Sequence, residues 1–82
     1  MARYGMENKR KKLLNRINWD AQDVGMIRLR NEDIGNNLQI RCTALWKELL
    51  NTDNPNTDLI NRLNTFYNEV ELSAKQTGLY NE

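Results

Sequence analysis

Residues 34–50, IGNNLQIRCTALWKELL, carry Ile34, Leu38, Cys42, Leu45, Trp46 and Leu49 at alternating steps of three and four. That spacing draws one apolar stripe down the side of an α-helix, and everything else in a chain of this length has to pack against it. The same phase runs back through Ile27 and Val24, broken only at Asn31. The favoured reading is therefore a central helix over residues 20–51, continuous or kinked near Gly25 or residues 31–35. A second reading splits it, with Asn31 as an N-cap and Glu32 and Asp33 in the first turn of a new helix. Gly25 and Gly35 are its weak points, each costing about 1 kcal/mol relative to Ala in a helix interior.

Downstream, NTDNPNTD supplies turn residues and the only proline. A helix is expected over residues 55–77, with Asn54 as its cap, Pro55 at the first position and Asp58 complementing the dipole. Leu59, Ile60, Leu63, Phe66, Tyr67, Val70 and Ala74 form its stripe, and Leu72 is the one large apolar residue on its other side. Gly78 is placed for a left-handed cap, and Leu79 for the apolar contact that accompanies one. Within this helix DLINRLNTFY, residues 58–67, is similar to a stretch of the enterocin-type bacteriocin immunity proteins, which are antiparallel helical bundles. The likeness covers one amphipathic helix, and no activity or site residue is carried over from it.

Upstream, residues 1–5 read as a loose arm and residues 6–18 as a basic amphipathic helix with Leu13, Leu14 and Ile17 on one side. Asp20 is expected to cap the central helix and Trp19 to staple the junction, although nothing in NWDAQDV forbids an unbroken helix. The fold expected is all-α: an antiparallel helical hairpin plus a short basic N-terminal helix, completed as a helical bundle by dimerisation. A chain of 82 residues buries only about 60–65% of its unfolded surface, so a second copy or a partner would help it. Met26, Leu29 and Ile40 lie on nearly the opposite side of the central helix from its stripe, and they are the candidate dimer or partner interface.

Chemistry is scarce. The chain has no histidine, the commonest general base and metal ligand, and no phosphate loop or zinc or calcium spacing. Its one cysteine, Cys42, lies on the apolar stripe and reads as a small buried hydrophobe. No enzyme activity, cofactor or metal is expected. No apolar run approaches the roughly 20 residues that span a bilayer, and no signal sequence is read, so the expected location is the cytoplasm.

Charge is the feature that points to a ligand. Residues 1–31 carry eight cations against three carboxylates, whereas residues 32–82 carry four against eight, which sets +5 against −4. Lys9, Lys12 and Arg16 fall together on one helix side and can meet successive phosphates, with Arg10, Lys11, Arg28 and Arg30 widening the patch. No base-reading signature accompanies them, so the expected partner is DNA or RNA held without regard to sequence. Trp19 beside this patch can either stack on a base or pack between helices. The competing reading is a protein-binding module, an inhibitor, adaptor or assembly subunit, working through Met26, Leu29 and Ile40. For the architecture, a circular dichroism spectrum dominated by helix is expected. Leu63→Ala should cost about 2–5 kcal/mol in a denaturant titration, and an unchanged midpoint would overturn the placement of the last stripe.

Overall fold

The computed structural model describes the backbone of residues 2–78 and the side chains of residues 9–78. Three helices follow one another: α1 (Ala2–Arg30), α2 (Glu32–Leu50) and α3 (Thr57–Gln76), with no strand among the described residues. The central helix expected over residues 20–51 is therefore two helices, and the basic segment belongs to the first of them. Nothing between Asn18 and Asp23 breaks a helix, and Leu13, Ile17, Val24 and Ile27 keep one phase through it, so α1 runs on. The expected arm is helical from Ala2 onward; Met1 and the Leu79 cap contact lie outside the described residues.

The break falls on one residue. Asn31 leaves the helical conformation at φ −148° and ψ 103°, and its side-chain Oδ1 accepts the Ile34 N–H at 3.1 Å. Its own N–H still donates to Ile27 O at 2.8 Å, and its carbonyl accepts the Gly35 N–H at 3.0 Å. Asn31 thus ends one helix and caps the next, and Glu32 and Asp33 place negative charge at the N-terminal end of α2.

Gly35 lets the two helices meet at this corner. A Cβ there would lie 2.3 Å from Arg28 Cα, far inside any real contact, so only glycine admits so close an approach of α2 to α1. Gly35 marks a packing requirement, not a soft spot. Gly25 differs, because a Cβ there meets nothing within 4 Å.

From the corner α2 runs back along α1, and that pairing is the most extensive in the molecule. The hairpin expected between the central and last helices is thus made by α1 and α2. Asn51 to Asn56 then turn the chain into α3, whose cap is Asn56 and not Asn54: Asn56 Oδ1 accepts the Leu59 N–H at 2.8 Å. Pro55 is buried just ahead of the cap. At the far end Gly78, at φ +80°, takes the left-handed conformation as expected, and its N–H donates to Lys75 O.

The core joins Ile17, Val24 and Ile27 of α1 to Leu38, Cys42 and Leu49 of α2 and to Leu59, Leu63, Phe66, Val70 and Ala74 of α3. Leu13, Leu14, Ile34 and Leu45 pack at its edge. Trp46, expected inside, is 39% exposed, because Leu38, Cys42 and Leu49 take the inward line of α2 and Trp46 sits one step off it. The two glycines generate opposite expectations. Gly25→Ala should stabilise by about 0.5–1 kcal/mol through helix propensity alone. Gly35→Ala should destabilise by roughly 1–3 kcal/mol, because the clash outweighs the propensity gain. Thermal melts of the two variants check this, and equal shifts would contradict the corner contact.

Candidate nucleic-acid interface

The seven cations expected to face a polyanion divide by residue type. Arg10 turns inward to the end of α2, where its Nε donates to Thr52 O and its Nη2 to Leu50 O, both at 3.0 Å. It satisfies carbonyls that a helix C-terminus leaves unpaired and places positive charge at the negative end of the dipole. Arg16 crosses to α3: its Nη1 donates to Asn64 Oδ1 at 2.7 Å and its guanidinium lies 4.1 Å from the centre of the Tyr67 ring. Arg28 donates to Gln39 Oε1 at 2.8 Å, and Arg30 reaches Thr77 O at 3.5 Å, the outer limit of a hydrogen bond. All four arginines are tied to another part of the fold.

Lys9, Lys11 and Lys12 are exposed and make no hydrogen bond or ion pair among the described residues. Lys9 and Lys12, three apart, are neighbours on one helix side, while Lys11 is turned about 100° from Lys12. The difference follows from the side chains. A planar guanidinium donates along several directions and stacks on rings, whereas a strongly hydrated ammonium gains less by leaving water. Composition gives only the sum of charges and cannot separate the two.

Trp19 departs furthest from expectation. It does not staple helices; it is 67% exposed, on the side of α1 away from Ile17, Val24 and Ile27. Seven residues separate it from Lys12, two turns along the same side, or about 10 Å at 1.5 Å per residue. Met26 and Leu29 follow it on α1, and both are exposed, Leu29 at 89%. Ile40 is exposed too, but on α2. Since the chain reverses at Asn31, Met26, Leu29 and Ile40 do not form the single helical stripe expected of them.

The acidic half is largely occupied with its own cations. Glu69 receives both ends of the Arg41 guanidinium, which holds its carboxyl below the usual carboxylate range. Glu48 and Asp58 share Arg62, with Arg62 Nη1 2.8 Å from Glu48 Oε1 and Nε 3.0 Å from Asp58 Oδ2. The Arg41–Glu69 and Arg62–Glu48 pairs lash α2 to α3 along their outer edges, while Asp58–Arg62 lies within α3, so the cations left without carboxylate partners among the described residues lie mainly on α1.

Asp20 is not a cap. It occupies an inward position of α1 between Ile17 and Val24 and is 3% exposed. Burial, the largest cause, pushes its carboxyl from the ordinary 3.8 to about 6; Arg16 opposes the shift and Asp23 adds to it. Across the interface its charge is felt by Cys42 of α2 and Tyr67 of α3. The Cys42 thiol, buried in turn, is pushed up to about 11 by burial and then by Asp20. Such a thiol stays protonated at neutral pH and lacks nucleophilic character. No group of three or more metal-ligating side chains occurs among the described residues, and no described helix is long and apolar enough to cross a membrane.

No protein-family model matches the sequence, and no curated protein or solved structure is similar enough to be matched to it. The likeness of residues 58–67 to the immunity proteins is confined to the amphipathic pattern of part of α3.

Asp20 generates a pH prediction. Its folded pKa is raised, so the folded state favours the protonated acid; stability is greatest at low pH and is lost as pH rises through about 6. The shift bounds the cost of the charged form at about 3 kcal/mol. Asp20→Asn should therefore raise the melting temperature at pH 8 by several degrees, with the gain shrinking towards pH 4. A gain independent of pH would remove the carboxylate as its cause.

Proposed function

We propose that the protein is a non-enzymatic helical module that binds nucleic acid through the surface of α1 by backbone contacts and base stacking, without reading sequence. The observation that carries this reading is the joint exposure of Trp19 and the three lysines. A tryptophan left in water two turns from Lys12 is the pairing that single-strand binders use, with lysines on the phosphates and a ring under an unpaired base. Arg10, Arg16, Arg28 and Arg30 are then scaffold, holding α1 against α2 and α3 while the lysines meet the ligand. The lack of histidine supports a binding role over catalysis, and the single cysteine, kept as a protonated thiol, fits a reducing cytoplasm.

A second reading is favoured by one observation. Met26, Leu29, Ile40 and Leu72 are each more than half exposed, and apolar surface of that extent also suits a protein partner.

Anisotropy of labelled oligonucleotides across a salt series separates the two. Three lysine contacts on a single strand should give a slope of log affinity against log salt of about −2. Replacing Lys9, Lys11 and Lys12 together by Ala should remove most of that slope for unrelated sequences alike. Trp19→Ala should weaken binding by about 1–3 kcal/mol while leaving the slope unchanged. Folded protein that binds neither single nor double strands of DNA or RNA at about 50 mM salt would overturn the reading and leave the protein-binding alternative.

A further inference from the structure

The seam between α2 and α3 holds a hollow of about 290 Å³. The two helices run antiparallel, and two ion pairs cross between them, Arg41 to Glu69 and Arg62 to Glu48. Seven residues separate the crossings on either helix, 41 to 48 and 62 to 69. That is about 10 Å at 1.5 Å per residue. The hollow fills the window between them, with Leu45 and Phe66 at its base, Ala44 and Thr65 at its rim, and Arg41 and Arg62 at its ends. Direct packing of α2 on α3 is the least of the three helix pairs, and the small rim side chains leave the window open.

Both charged residues of the lining are cations, and the carboxylates that pair with them do not line it. The two guanidiniums are not engaged alike. Arg62 donates from Nη1 and Nη2 to Glu48 and from Nε to Asp58, so each of its three nitrogens has a partner. Arg41 donates only from Nη1 and Nη2, both to Glu69, and its Nε donates to no group among the described residues. The Arg41 guanidinium also lies 5.5 Å from the centre of the Phe66 ring, which sets its open N–H edge beside the largest apolar side chain of the hollow.

We propose that this window is a binding site for a small aromatic carboxylate, its ring against Leu45 and Phe66 and its carboxylate on the Nε edge of Arg41. Three features select that class. The open N–H of a cation calls for an anion, and a carboxylate has the flat two-oxygen edge that a guanidinium pairs with. The apolar base calls for an apolar body, which a bare inorganic anion lacks. The volume stands at the lower limit of ligand pockets, roughly 300 Å³, and so suits one ring or two fused rings. Arg62, with its nitrogens engaged, is the far wall and presents a guanidinium face to the ring. Lys9, Lys11, Lys12 and Trp19 do not line the hollow, so the site is independent of the nucleic-acid reading.

Naphthalene-2-carboxylate, titrated into the full isotope-labelled chain and compared with the neutral naphthalene-2-carboxamide, tests this. Amide resonances of residues 41–45 and 62–66 should shift, and the bound ring should show an Overhauser effect to Phe66. The acid should bind about tenfold tighter than the amide or better. Arg41→Gln should bring the acid down to the affinity of the amide, whereas Arg62→Gln should weaken both by the same factor. Thr65→Leu, at an exposed position, should fill the hollow and abolish binding of both with the helical dichroism retained. The shift map and the comparison of acid with amide use the unmodified chain and decide the matter if a variant unfolds. No shift at about 1 mM probe, shifts centred away from the window, an amide that binds as tightly as the acid, or a folded Arg41→Gln that still prefers the acid would each overturn the proposal.

Discussion

The contact on which the fold depends is the approach of Gly35 to Arg28. With one non-helical residue between two helices, α2 has little freedom in how it leaves α1, and the helices must come within backbone contact at the corner. Any Cβ at residue 35 would push them apart at the point where they diverge least. Because α2 then runs straight back, Leu38, Cys42 and Leu49 come to rest against Ile27, Val24 and Ile17, and a helical pair forms from one uninterrupted sequence pattern. Asn31 adds the cap, but a cap can be found in many places; an atom-free space at residue 35 cannot.

Once α1 and α2 are paired, α3 is attached mostly from the outside. Its direct packing on α2 is the least of the three helix pairs, although its buried stripe reaches α1 and α2 together. Arginines make up the difference. Arg41 of α2 pairs with Glu69 of α3, Arg62 of α3 pairs with Glu48 of α2, Arg16 reaches Asn64 and Tyr67, and Arg30 reaches the end of α3 at Thr77. Exposed ion pairs of this kind are individually weak, typically about 0–1 kcal/mol, so their effect is to fix register more than to supply stability. The thin core still has to supply most of the stability.

That the fold is all-α and that its last helix follows the turn near Pro55 can be read from the sequence, because the 3.6-residue pattern of Leu38, Cys42 and Leu49, and of Leu63, Phe66 and Val70, is that of a helix. Where the chain reverses could not be read from the pattern alone. A helix that continues and a helix that turns back through one residue can both point Ile27 and Ile34 at the same core, so phase does not distinguish them. The deciding signals were local: Asn31 followed by Glu32 and Asp33, and a glycine four residues on. The candidate site was read less well. Counted by charge the seven cations are equivalent, whereas guanidinium and ammonium groups serve different ends, and the four arginines are drawn into the fold. Trp46, and Trp19 as a staple between helices, depart from expectation for a related reason: tryptophan favours burial on average, but this core is narrow and its inward positions are filled by other residues.

One inward position was filled by a carboxylate. Asp20 sits where the pattern of Ile17, Val24 and Ile27 calls for an aliphatic group, and its charge is felt by α2 through Cys42 and by α3 through Tyr67. A leucine there would enlarge a core that is small for three helices, so the acid is a cost to folding that the sequence retains. Arg16 moderates the cost: the same guanidinium that joins Asn64 and Tyr67 also lowers the energy of the Asp20 anion. The α1–α3 seam is thereby coupled to proton uptake at one buried site.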